Sequence, residues 1–340
     1  MPRTVLITGI TGFAGSHLAE RFVTAGVAVH GIAHEDPPFA HLAAVADRVH
    51  VHRGNILDVA AVRSALDAAR PDSVVHLAAQ AVPTLAAADP VSAVRVNVLG
   101  TATLLSALDA HPAVHLVMAS SADVYGAPDD ELVDENAPQR PGNVYAATKV
   151  ASEALVREFG DRRQAATTVL RPANQIGPRQ HPGLAASAFA KQIAEAEAGI
   201  AEPVVRHGLL DARRDFIDVR DMAAAYALAA DLSDTGTAVY NVGSGHAIPI
   251  AEILGTLIAL ARVPVRAELD PERVRSGELT AFALDASRFR RRTGWAPRTL
   301  LRTSLTDTLE YWRGQVRAEA GVGAPGAGAP GREATRGATA

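Results

Sequence analysis

The chain of 340 residues carries 33 Lys and Arg against 37 Asp and Glu, a formal net charge of −4, and 48% of it is hydrophobic. This supplies apolar material for a sizeable core and argues against a nucleic acid or an anionic membrane as the main partner. The absence of cysteine excludes disulfides, thiolate zinc sites and a thiol nucleophile, and it fits a cytoplasmic setting.

Met1-Pro2-Arg3 runs straight into Thr4-Val5-Leu6-Ile7, an apolar run too short for a leader, so none is expected. No uninterrupted run approaches about 18 apolar residues, so no membrane span is expected either. Val5–Ile7 is β-branched and apolar, Gly15–Ala25 has helical period, and Val27–Ile32 and Val49–His52 are strand-like. A helix is predicted near Val59–Ala69, a strand at Ser73–Ala78, one long helix over Pro90–Ala110 and a strand at Ala113–Ala119. Tyr145–Phe159 reads as helix and Thr167–Leu170 as strand. Strands alternating with helices predict βαβ units, and continuous apolar strands predict a parallel sheet covered on both faces.

After Arg171-Pro172 the rhythm breaks at Pro178, Pro182 and Gly183. Helices are predicted at Leu184–Gly199 and Val219–Leu232, strands at Asp215–Val219 and Val239–Val242, and a closing helix around Trp312. The expected fold is α/β: a Rossmann-type doubly wound parallel sheet with a smaller C-terminal substrate-binding lobe. Residues 1–172 form the dinucleotide-binding domain, joined by strands from about 215–245, and residues 173–316 form mainly the lobe. Residues 317–340 are expected to be a disordered tail, because Gly321–Ala340 is almost wholly Gly, Ala, Pro, Thr and Arg and cannot bury enough apolar surface to offset its ordering entropy.

Thr8-Gly9-Ile10-Thr11-Gly12-Phe13-Ala14-Gly15 follows the first strand and opens the first helix. Glycines at GxxGxxG spacing let a pyrophosphate approach backbone N–H groups, and the helix N-terminus supplies oriented donors. Gly9, Thr11, Gly12, Phe13 and Ala14 are the candidate contacts. An acidic residue ending the second strand would bind the ribose 2′-hydroxyl of NAD. Ala33 stands there instead, with His34 next and no arginine beside it, which leans toward NADP(H) and leaves NAD(H) open. Asn55 and Ile56 fall where the adenine ring is expected. The histidines show no metal-ligand spacing, and no metal is expected.

Tyr145 and Lys149 form a YxxxK pair on one helix face. An ammonium near the phenol is expected to lower its pKa, so that it can exchange a proton with a substrate oxygen. Ser121, in Ser120-Ser121-Ala122-Asp123-Val124-Tyr125-Gly126 at a strand end, is placed to bind the same oxygen.

With the glycine turn, these motifs resemble an extended short-chain dehydrogenase/reductase of the NAD-dependent epimerase/dehydratase superfamily, from about Arg3 to Trp312. His76-Leu77-Ala78-Ala79-Gln80, Val96-Asn97-Val98-Leu99-Gly100-Thr101, Arg171-Pro172-Ala173-Asn174-Gln175-Ile176-Gly177-Pro178 and Arg214-Asp215-Phe216-Ile217-Asp218-Val219-Arg220-Asp221 also carry the likeness. The resemblance implies Ser121, Tyr145 and Lys149 as a catalytic triad, with Leu77, Ala78, Ala79, Tyr145 and Lys149 along the cofactor and Lys149 holding the nicotinamide ribose. It implies Gln80, Asn174, Arg214 and Arg275 at a nucleotide-sugar substrate, where an arginine fork suits a diphosphate. It further implies a homodimer formed through the helices Val91–His111 and Tyr145–Phe159. Gln80, Ser-Ser-Ala-Asp-Val-Tyr-Gly and Asn174–Pro178 point within the superfamily to GDP-4-keto-6-deoxy-D-mannose reductases.

The expected reaction is NAD(P)H-dependent reduction of a nucleotide-linked 4-keto-6-deoxyhexose. A 4,6-dehydratase needs a further acid and base; here the two positions after the triad hydroxyl are Ala122 and Asp123, so Asp123 alone is the candidate. A 4-epimerase with retained NAD is a second alternative, and a cofactor-binding structural or sensor protein a third, which the intact Tyr145 and Lys149 disfavour.

Overall fold

The computed structural model describes residues 1–35, 39–232, 235–274 and 281–320. Strand β1 (Thr4–Thr8) leads into helix α1 (Phe13–Thr24), then β2 (Ala28–Ala33), a 3-10 segment (Ala40–Arg48), β3 (Val49–Arg53), α2 (Val59–Ala69) and β4 (Ser73–His76). Next come α3 (Pro83–Ala88), α4 (Pro90–Val94), a π turn (Arg95–Leu99), α5 (Gly100–Leu108), β5 (His115–Ala119), β6 (Leu132–Val133), α6 (Val144–Arg163) and β7 (Ala166–Pro172). Then follow β8 (Asn174–Ile176), α7 (Ala185–Glu197), β9 (Val204–His207), β10 (Arg213–Asp218), α8 (Val219–Ala229), β11 (Gly236–Val242) and β12 (Ala247–Pro249). The last elements are α9 (Ile250–Ala259), β13 (Arg266–Leu269), β14 (Ala281–Leu284), α10 (Ser287–Thr293) and α11 (Leu301–Glu319).

Seven strands make one sheet in the order β11-β7-β5-β4-β1-β2-β3, and every pairing in it is parallel. The order reverses between β1 and β4, and a crevice opens at such a point beyond the strands' carboxyl ends. β1 and β5 are almost wholly buried because helices cover both faces. Each fully buried Val, Leu or Ile contributes about 1.5–3 kcal/mol relative to exposure. A second sheet runs β12-β10-β14-β6, with β8 paired to β10. Below it, Leu305, Leu309, Trp312 and Val316 of α11 pack with Phe189 and Ile193 of α7.

Several expectations need correction. The strand expected at Asp215–Val219 is β10, and it lies in the second sheet; of the segment 215–245, only β11 joins the main one. The helix expected over Pro90–Ala110 carries the π turn Arg95–Leu99. The run Pro90–Leu108 is, by length and composition, apolar enough to cross a membrane, but its Leu104, Leu105 and Leu108 are buried in the core of the main sheet. Residues 317–319, expected in the tail, are the last turn of α11; residues 321–340 lie outside the described residues.

Candidate active site

Gly9 adopts a left-handed φ of +71°, and a Cβ there would stand 2.8 Å from the backbone nitrogen of Ala78. The turn therefore lies directly against the Leu77–Ala78 segment that leaves β4. Leu77 N donates to Thr8 O (3.2 Å), and Ala78 N donates to Thr8 Oγ1 (3.2 Å). A Cβ at Gly15 would fall 2.1 Å from Gly9 O, so α1 packs against the turn as closely as backbone allows. Gly12 is the N-cap of α1 and offers no side-chain oxygen to its first turn. A narrow glycine cradle at an uncapped helix N-terminus fits a pyrophosphate. Phe13 lies beside Gly177 and meets His17 edge-on at 5.9 Å, while Ala14 packs on the core. Ile56 is buried, and Asn55 Oδ1 accepts from Leu57 N (2.9 Å).

One acid near this cradle escaped the sequence reading. Glu35, two residues beyond β2, accepts hydrogen bonds from Thr11 Oγ1 on both carboxylate oxygens (3.1 and 3.0 Å). His34 beside it is largely exposed, its Nδ1 3.8 Å from Glu35. Arg53 pairs in register with Ala33, so an arginine does flank the end of β2, contrary to expectation. The loop after β2 turns a carboxylate back onto the glycine turn, where a motif fixed to the strand end misses it.

The triad residues converge from two elements. Asn143 caps α6, accepting from Ala146 N (2.8 Å), and this places Tyr145 in the first turn. Tyr145 is 8% exposed, and its phenol is hydrogen-bonded to Ser121. Ser121 Oγ also accepts from Asp123 N (3.1 Å). Lys149 lies one turn on, its Nζ 5.8 Å from the Tyr145 ring centroid and donating to Ala119 O (2.8 Å). Burial pushes the Lys149 ammonium down to about 8, with Glu153 opposing.

The expected lowering of the Tyr145 pKa is not found. Burial raises it, the Asp123 charge raises it further, and only the Ser121 hydrogen bond opposes. Asp123 is itself raised by burial, against the pull of the Arg214 guanidinium. A buried phenol and a buried carboxyl both favour their neutral forms.

Around this centre, Gln80 is held through its backbone: its N donates to Asn97 Oδ1 (2.7 Å), and its O accepts from Asn97 Nδ2 (3.2 Å). Asn97 Nδ2 also donates to Thr148 Oγ1 (2.8 Å). Asn97 lies within the π turn, which is what aims it. Asn174 begins β8, in register with Phe216 of β10, and its Nδ2 donates to Asp215 O (3.3 Å). Arg214 thus sits one strand away from Asn174 and within electrostatic range of Asp123. Ala79 is half-buried beyond Ala78. Arg275 lies outside the described residues. No group of three His, Asp or Glu is arranged to hold a metal among the described residues.

The GDP-mannose 4,6 dehydratase family model matches residues 6–308. The GDP-6-deoxy-D-mannose reductase of Pseudomonas aeruginosa is 33% identical over 94% of this chain and 100% of its own length. The structure of RMD from Pseudomonas aeruginosa complexed with NADPH superposes with a TM-score of 0.78 at 29% identity, covering 92% of this chain and 99% of that one. The Thermus thermophilus UDP-glucose 4-epimerase complexed with NAD gives a TM-score of 0.80 at 30% identity, covering 91% of this chain and 99% of that one. The chain therefore belongs to the GDP-mannose 4,6-dehydratase family of extended short-chain dehydrogenases/reductases, with a Rossmann fold that takes a nicotinamide cofactor.

Proposed function

We propose that the protein reduces the 4-keto group of a nucleotide-linked 4-keto-6-deoxyhexose, foremost GDP-4-keto-6-deoxy-D-mannose, to a GDP-6-deoxyhexose. The observation that carries this reading is the placement of Tyr145, buried in the first turn of α6 with Lys149 Nζ 5.8 Å from its ring centroid, where burial favours the protonated phenol. A ketone reduction needs a proton donor at the oxygen where an alkoxide develops, and a protonated phenol is one. The full-length likeness to GDP-6-deoxy-D-mannose reductase supports the same reaction.

In this reading the cradle of Gly9, Thr11, Gly12, Phe13 and Ala14 holds the cofactor pyrophosphate. His34, Asn55 and Ile56 flank its adenosine half, and Leu77, Ala78 and Ala79 line its path toward Tyr145. When bound there, the cofactor would supply the hydride for carbon 4. Tyr145 gives its proton to the oxygen, Ser121 donates a hydrogen bond to it, and Lys149 offsets the phenolate charge left behind. Gln80, Asn174 and Arg214 orient the substrate, with Arg214 on the diphosphate, so positioning and charge stabilisation are the protein's share.

The test is consumption of NADPH or NADH with GDP-4-keto-6-deoxy-D-mannose generated by a separate dehydratase. Oxidation that disappears in Tyr145→Phe supports the proposal. Conversion of a nucleotide sugar with no net oxidation sinks it. It would favour a 4-epimerase with retained NAD, a reading that the NAD-complexed neighbour and the Glu35 carboxylate at the turn support. Dehydration would instead rest on Asp123.

The outer face of the Pro90–Leu108 run exposes Val91, Val94 and Leu99 (70%, 48% and 52%). We read this patch, with α6, as the contact of a homodimer. Sedimentation of the purified protein and of a Val91→Glu/Val94→Glu variant tests it; a monomeric parent ends that reading.

A further inference from the structure

Tyr145, Lys149 and Glu153 are spaced four apart on α6 and share one face. That face grips three successive residues at the end of β5. Lys149 Nζ donates to Ala119 O (2.8 Å), Ser120 Oγ donates to Glu153 Oε1 (2.5 Å), and Tyr145 is hydrogen-bonded to Ser121. Glu153 is 1% exposed. Arg171 of β7, also 1% exposed, donates to it twice, through Nε to Oε1 (3.0 Å) and Nη2 to Oε2 (2.7 Å). Gln139 Nε2 donates to Oε2 as well (2.7 Å), and Arg157 reaches it at 3.5 Å. Arg171 in turn donates to Tyr125 OH (2.8 Å) and Glu135 O (3.3 Å).

A buried ion pair is weak evidence for stability, because desolvation offsets its attraction. This pair stands directly beneath the triad and touches Ser121 through its chain neighbour. We infer, resting on the reductase reading above, that Glu153 is a positioning residue: it seats the Ser120–Ser121 strand end against Tyr145 and places a negative charge one turn beneath the Lys149 ammonium. The groups facing Lys149 are Tyr145 and Glu153 on its own helix and His76 on β4, which burial and Lys149 keep neutral. Those facing Glu153 are Arg171, Arg157, Ser120 and Gln139. Glu153 is the group that pulls the Lys149 pKa up against burial.

The chain has two lysines, Lys149 and Lys191, so an NMR titration of lysine side chains reads Lys149 directly, with Lys191→Arg as the assignment control. The variants are Glu153→Gln, Glu153→Asp, and Glu153→Gln combined with Arg171→Met, which removes both charges if the single change fails to fold. In folded protein without the Glu153 charge, Lys149 should titrate about one pH unit lower while Lys191 does not move. Turnover should fall on the order of 10²-fold in the same variants, and Glu153→Asp should restore the Lys149 titration. Turnover is compared with whatever reaction the parent performs, so an epimerising or dehydrating parent would sink the reductase reading and still test Glu153. Folded charge-free variants with the parental Lys149 titration and parental turnover would overturn the inference.

Discussion

The imidazole Nδ1 of His76 lies 2.7 Å from the hydroxyl of Thr8, tying β4 to β1 one residue before the glycine turn. Its Nε2 lies 3.0 Å from Thr101 Oγ1, so both ring nitrogens are engaged inside the core. Burial, followed by the Lys149 charge, pushes the ring from 6.5 down to about 3. Between these values the unfolded chain binds a proton that the folded chain does not. Stability therefore falls as pH drops through 6.5, and the loss from this group is complete only below about 3. Urea unfolding of the parent and of His76→Gln checks this. At neutral pH the variant should be less stable by about 1–3 kcal/mol, and the gap should narrow on acidification. A constant gap would remove His76 from the acid response.

Tyr145→Phe and Ser121→Ala should each lower turnover about 10²- to 10⁴-fold. Binding of the reduced cofactor, followed by its fluorescence, should weaken far less than turnover, because the glycine cradle is untouched. Weak cofactor binding in a folded Ser121→Ala protein would show that the loss came from the groove.

Lys149 is pushed down to about 8, so it is protonated at neutral pH and loses its charge under mildly alkaline conditions. The basic limb of kcat/KM should have its midpoint near this value. Above it the phenolate left on Tyr145 loses its cation, so activity falls as pH rises. A profile flat through this region would separate Lys149 from the chemistry.

Glu35 puts a carboxylate at the lip of the cradle, bound to Thr11 through both oxygens. A 2′-phosphate brought to that lip meets a like charge, whereas a ribose hydroxyl meets an acceptor. Glu35→Ser should shift the ratio of kcat/KM for NADPH over NADH upward by about 10-fold, the equivalent of about 1.4 kcal/mol. An unchanged ratio would place the cofactor's ribose away from Glu35.

Glycines at two kinds of position should respond oppositely. Gly15→Ala drives a Cβ to within 2.1 Å of Gly9 O and should cost about 1–3 kcal/mol along with cofactor affinity. Gly255 lies inside α9 with nothing within 4 Å of its missing Cβ. Gly255→Ala should stabilise by about 0.5–1 kcal/mol through helix propensity. Thermal unfolding of the two variants makes the comparison.

The main sheet and the meeting of Ser121, Tyr145 and Lys149 were legible because their signals are local. β1, β4 and β5 are continuous apolar runs, the glycines follow at fixed spacing, and Tyr145 and Lys149 are one helical turn apart. Extending that face by one more turn reaches Glu153, but its partners Ser120, just past β5, and Arg171, in β7, lie 33 and 18 residues away, and only the fold brings them in. Glu35 was missed because a loop, not a strand, aims it. The π turn at Asn97 has no sequence signal of its own, and only the fold brings Asn97 to Gln80 and Thr148. The Phe216-Ile217 pair marks β10 as a strand candidate, but its charged flanks leave open which sheet receives it, a choice made by its pairings with β12, β14 and β8. Two- and three-residue strands such as β6 and β8 are too short to show any period.

The two sheets trade strands across the chain. β11, from late in the sequence, completes the main sheet beside β7. β6, from early in the sequence, completes the second beside β14. Neither layer can therefore be transplanted as a single block. A chimera that replaces everything after β7 would press a foreign β11 onto a native β7 and leave β6 against a stranger. Conversely, a backbone cut between β7 and β11 would leave two fragments that each hold part of the other's sheet, and such halves are built to reassociate rather than to live apart.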